Sequence, residues 1–135
     1  MPTQLNPYLH FDGTAREAMT FYQSVFGGQL DVMTFGDMGM EGDTADQVMH
    51  SNLAGPGGLA IMGSDTPPGM TLTRGDTVAL SLSGDDDAEL RGWFGALAEG
   101  GEVHVPLEKQ MWGDVFGQCA DRFGTIWLVN IIQPG

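Results

Sequence analysis

Cysteine, lysine and long apolar runs are scarce in this chain, and each scarcity excludes something. One cysteine in 135 residues, Cys119, rules out an internal disulfide and a cysteine-rich zinc module. Lysine occurs once, at Lys109, and the arginines are scattered at Arg16, Arg74, Arg91 and Arg122. Against 18 acidic residues these leave a formal charge of −13. No basic patch can neutralise several phosphates, so nucleic acid is excluded as a partner, and anionic membrane surfaces with it. No apolar run approaches the roughly 20 residues of a membrane span. Met1-Pro2-Thr3-Gln4 lacks the basic and apolar regions of a signal peptide. The expected location is the cytoplasm.

What is present is a globular composition, 41% hydrophobic and 17% charged. A chain of this length buries roughly two thirds of its unfolded surface and folds without staples. It also repeats itself. An offset of 73 aligns Leu9 with Leu82, Ala15 with Ala88, Phe21 with Phe94, and Gly27-Gly28 with Gly100-Gly101. Past a longer Gly/Asp/Met-rich loop, Phe35 to Asp46, the offset drops to 66 and pairs Ala54 with Ala120 and Gly58 with Gly124. The ordered set predicts one domain, 1–135, made of two copies of one unit, about 1–66 and 74–135.

Each copy reads strand, helix, then three strands. Leu5 to Phe11 is a strand, and Thr14-x-x-Glu17 has the form of a capping box. Ala15, Ala18, Met19, Tyr22, Val25 and Phe26 recur at helical spacing, and Gly27-Gly28 ends the helix. In the second copy Thr77 to Ser83 is the strand, and Asp85-Asp86-Asp87 caps a helix whose stripe is Leu90, Trp93, Phe94, Leu97 and Ala98. The remaining strands fall at Gln29–Phe35, Gln47–Ala54 and Leu59–Ser64, then Glu102–Val105, Val115–Ala120 and Thr125–Ile131. Two βαβββ units make an α+β domain with one sheet face under the helices. Alternation assigns Asn6, Tyr8, His10, His50, Asn52, Met62 and Ser64 to the other face. Ser81, Phe116, Gln118, Leu128 and Asn130 take it in the second copy.

Phe11-x-Gly13, Glu17-Ala18, Phe21-Tyr22, Phe26-Gly27-Gly28, His50, Ser64-Asp65, Trp112-Gly113 and Asp121-x-Phe123-Gly124-x-x-Trp127 follow in order. Together they resemble the PhnB-like branch of the vicinal-oxygen-chelate superfamily, the group of glyoxalases, bleomycin-resistance proteins and extradiol dioxygenases. The departures are Arg122, where relatives usually carry proline, and Thr125, where they often carry histidine. The resemblance implies tandem βαβββ modules forming a half-open barrel around a cleft, and a homodimer. Branch members are often labelled ubiquinone-pathway methyltransferases, but no glycine-rich nucleotide-binding turn is present to hold a methyl donor.

The superfamily's enzymes hold a divalent ion with His and Glu at repeat-related strand positions. Here the resemblance maps those positions to Gln4 or Asn6, Met62, Thr77 and Leu128. Thioether and leucine do not hold a hard or borderline ion, so no metal and no cofactor are expected. His50 has two readings: a satisfied structural histidine, or an acid/base or ligand-binding group. His10 shares its face but nears a strand end, and His104 is expected exposed. Asp65 and Asp121 read as turn residues, Cys119 as core. Tyr8, Trp112 and Phe116 are candidates for an aromatic wall, and Phe35 to Asp46 for a lid. The reading is a small-molecule-binding protein with a metal-free cleft lined by Tyr8, His10, His50, Asn52, Met62, Ser81, Trp112, Phe116 and Gln118. The alternative is a glyoxalase-like lyase or dioxygenase-type enzyme, with a shifted metal or acid/base site around His50.

Overall fold

The computed structural model describes residues 3–67, 69–75 and 77–134. It divides into two compact units, Met1–Arg74 and Gly75–Gly135. The first carries β1 (Tyr8–Phe11), α1 (Ala15–Phe26), β2 (Gln29–Thr34), β3 (Val48–Ala54) and β4 (Ala60–Asp65). The second carries β5 (Leu80–Gly84), α2 (Asp87–Ala98), β6 (Glu102–Lys109), β7 (Val115–Ala120) and β8 (Ile126–Ile131). The strand orders are β1-β4-β3-β2 and β5-β8-β7-β6, each with one parallel pair joining first and last strands.

The repeat extends to register. Tyr8 faces Met62 across β1 and β4, and Ser81 faces Leu128 across β5 and β8. Asn52 meets Met62 as Gln118 meets Leu128, and Gln29 meets Ala54 as Glu102 meets Ala120. The glycine pairs after the helices have a physical reason. Gly27 and Gly100 hold φ of +78° and +79°, which glycine adopts without steric cost. A side chain on Gly28 would collide with the Ala54 carbonyl, and one on Gly101 with that of Ala120. Each helix therefore leaves into its next strand at the same close backbone approach.

In the first unit α1 packs on β2, β3 and β4. Ala15, Ala18, Met19, Tyr22 and Phe26 are buried on its inner stripe, with Val25 half-buried at its margin. The sheet answers with Phe11, Val48, Leu53 and Ile61, and Gly63 leaves room for the Met19 sulfur. Each large apolar side chain buried this way contributes about 1.5–3 kcal/mol. In the second unit Leu90, Phe94 and Leu97 of α2 are buried, while Trp93 and Ala98 are half-buried.

The helix starts differ. Asp86 caps α2 as expected, accepting the Glu89 N–H at 3.1 Å. Thr14 makes no side-chain cap on α1. The cap comes from across the fold: Asp65, 2% exposed at the end of β4, accepts the Ala15 N–H with Oδ1 and the Val48 N–H with Oδ2, both at 2.9 Å. Asp121 does comparable work in the second unit. Its Oδ1 accepts from the Phe123 and Thr125 N–H groups and its Oδ2 from the Trp127 indole at 2.9 Å. Asp65 thus holds backbone 50 and 17 residues away, whereas Asp121 holds its own turn and the indole six residues on.

The strands also begin and end differently from the pattern. β1 starts at Tyr8 and β5 at Leu80, while β6 runs on to Lys109 past bulges flanking Val105. The segment 35–46 is tied at its base. Phe35 is buried and its N–H donates to the Gln47 carbonyl, as Gly36 does to that of Ala45. The Thr34 N–H, then its hydroxyl, hold the Asp37 carboxyl below the ordinary range.

Replacing Asp65 by Ala leaves two buried N–H donors unpaired and is expected to cost about 2–4 kcal/mol in urea unfolding. Thr14→Ala, with no cap bond to lose, is expected to cost under about 0.5 kcal/mol. Burial, then the charge of Asp121, pushes the Cys119 thiol from 9.0 up to about 11. Cys119 is therefore expected to react with DTNB near pH 8 only at the rate of unfolding. Between pH 9.0 and about 11 the unfolded chain releases a proton that the folded chain keeps, so this thiol lowers stability as pH rises through that window. Cys119→Ala is expected to flatten that decline in pH-dependent melting.

Candidate functional site

The face of the first sheet turned away from α1 holds the first copy's candidate residues. Register places Tyr8, Met62, Asn52 and Asp31 in one row across β1, β4, β3 and β2. A second row holds His10 opposite Ser64, and His50 opposite Met33. A bulge decides which way His50 points. Thr34 pairs with Val48 but Met33 pairs with His50, leaving Met49 as the extra residue. Val48 can then be fully buried while His50, two positions on, lies on the face opposite buried Ser51 and Leu53.

Tyr8, on the edge strand β1, links the two histidines of this face. Its hydroxyl lies 3.2 Å from Nδ1 of His50, a bond that crosses β4. Its ring centroid is 5.2 Å from that of His10 and 5.7 Å from that of His50, with tilts of 41° and 31°. If Tyr8 donates, the His50 proton resides on Nε2, leaving that nitrogen as a donor. Tyr8 is 39% exposed, His10 is exposed, and His50, Asn52 and Met62 are half-buried. Ser64 is buried on the same face. Asp31 and Met33, both exposed, belong to it too, and the regular alternation of Leu30 and Val32 was the signal that could have found them.

The second unit presents Ser81, Gln118 and Phe116 on the corresponding face, Ser81 exposed and the other two half-buried. The Gln118 amide is 3.4 Å from Nδ1 of His104, which is exposed and 3.7 Å from Glu102. Trp112, 63% exposed in the turn between β6 and β7, meets Phe116 edge to face at 6.0 Å. Beside them Asp114 accepts from the Gln133 N–H and then the Asn130 amide, which hold its carboxyl below the ordinary range.

The fold family's divalent ion does not suit these residues. Met62 and Leu128 stand at equivalent strand positions, and Gln4, Asn6 and Thr77 precede the strands. Among the described residues no three His, Cys, Asp or Glu side chains stand close enough to hold one ion. Asp65, whose two oxygens take backbone N–H groups, is committed to the helix side. No described helix is long and apolar enough to cross a membrane.

Comparison with known proteins agrees with this geometry. Residues 4–129 match the Glyoxalase/Bleomycin resistance protein/Dioxygenase superfamily. The chain is 30% identical to Protein YjdN of Escherichia coli (strain K12), covering 96% of this chain and 95% of YjdN. Protein PA1353 from Pseudomonas aeruginosa superposes with a TM-score of 0.88 at 40% identity, over 98% of this chain and all of that one. A PhnB protein from Bacillus cereus, described as a putative 3-demethylubiquinone-9 3-methyltransferase, superposes at 0.78 with 25% identity, over 96% and 100%. With the βαβββ repeat and its shared register, these matches establish that the chain belongs to the Glyoxalase/Bleomycin resistance protein/Dioxygenase superfamily, in its PhnB-like branch.

Proposed function

We propose that this protein binds a small organic ligand, without a metal, against the open face that carries Tyr8, His10, His50, Asn52 and Met62. One observation carries the reading: the Tyr8 ring, 39% exposed, stands between two imidazoles and is held by His50. An aromatic surface fixed in orientation gives a ligand contact area at little entropic cost. Asn52 offers an amide donor and acceptor beside it, and Met62 a polarisable surface that adapts to shape. In the second unit Ser81, Phe116, Gln118 and Trp112 form the corresponding set, with Gln118 already engaged by His104. The setting of the proposal is a cytoplasmic homodimer, in which pairing would protect the open edges that each sheet leaves.

The Tyr8–His50 bond supports a second reading, acid–base chemistry at His50. A proton passing between phenol and imidazole is the element such a site would use.

Untagged protein purified without chelator is expected to contain far less than one divalent metal per chain. A stoichiometric ion by elemental analysis would overturn the metal-free reading. In a small-molecule thermal-shift screen, a hit is expected to lose at least about tenfold in affinity with Tyr8→Leu and only about threefold with His50→Ala. If His50→Ala instead abolishes a measured turnover while affinity and melting temperature persist, the acid–base reading replaces binding alone.

A further inference from the structure

We propose that the ligand taken by the open face of β1–β4 is an organic cation with an aromatic body, and that Asp31 selects its charge. This rests on the binding reading above and names the ligand class. The four strands hold no lysine or arginine, and their two carboxylates are Asp31 and Asp65. Asp65 is buried on the helix side, bound to the Ala15 and Val48 N–H groups. Asp31 is exposed, directly across from Asn52 in the row that begins at Tyr8. The side chain that reaches it, Gln29 at 3.3 Å, is neutral.

The first unit's two arginines both come from outside the four strands. Arg74 donates to the His10 carbonyl and places its guanidinium 5.8 Å from the centroid of Phe11, whose ring lies on the buried helix side. Arg16 is in the first turn of α1, beyond the sheet. A ligand lying along this row therefore meets an aromatic ring with a negative π-surface at one edge strand, a carboxylate about three strand spacings away at the other, and a chain of net charge −13. All three favour a cation. A carboxylate or phosphonate would find only neutral donors there and would be repelled by Asp31.

The second unit shows the same pairing independently. Phe116, which carries the Trp112 ring, has exposed Glu108 as its cross-strand partner. Lys109, the one lysine, pairs with buried Val115 and so takes the other face.

The test is a fluorescence titration with three flat probes of similar size: the cation proflavine, neutral N-phenyl-1-naphthylamine and anionic anilinonaphthalene sulfonate. Proflavine is expected to bind at least about tenfold more tightly than the other two at low salt. Asp31→Asn is expected to weaken proflavine about fivefold while leaving the neutral probe and the melting temperature unchanged. Glu99→Gln, the same charge change at the end of α2, is the control and should have no such effect. Equal binding of the neutral or anionic probe, or equal losses in both variants, would overturn selection by Asp31. If none of the three binds, the binding reading itself fails, and the charge preference with it.

Discussion

One carboxylate organises the first unit. Asp65 ends β4 and receives two backbone N–H groups that the chain would otherwise bury unpaired, one at the start of α1 and one at the start of β3. An unpaired buried donor costs on the order of 1–3 kcal/mol, so this single side chain ties the helix to the sheet at a definite height. Two residues beyond the anchored Val48 lies His50, turned to the opposite face by the bulge at Met49. The open face depends on that anchor: a different start for β3 would shift His50 away from the Tyr8 hydroxyl.

The two units solve the same closure problem with different carboxylates. Glycine pairs after both helices permit identical turns into β2 and β6, and the register is shared strand for strand until the bulge beside His104. Yet Asp65 and Asp121 are not equivalent in the repeat. One joins a helix start to a strand, and the other closes the β7–β8 turn and holds the Trp127 indole. Backbone geometry is common to both copies, whereas the buried polar groups that secure it are particular to each.

Charge and burial divide the sheet cleanly. The helix side is apolar apart from satisfied groups such as Ser51, whose hydroxyl donates to the Gly63 carbonyl at 2.6 Å. The other side keeps aromatic, amide and thioether groups half-exposed, which is a poor core and suits the binding role proposed for it. Met62 and Leu128 stand at equivalent strand positions, and neither a thioether nor a leucine suits a hard or borderline ion.

Much of this was legible in the residues alone. Periodicity marked both helices, the spaced glycines exposed the repeat, and alternation assigned Tyr8, His10, His50 and Asn52 to one face, because a period of two or 3.6 is written directly into the order of side chains. Three things were not. The capping role of Asp65 joins residues 50 positions apart, and no local spacing encodes it. The bulge at Met49 breaks the alternation from which the faces were read. The Tyr8–His50 bond reaches diagonally over an intervening strand. Local order is a property of neighbours in sequence, whereas a buried carboxylate's partners and a sheet's cross-strand rows exist only once the register is set.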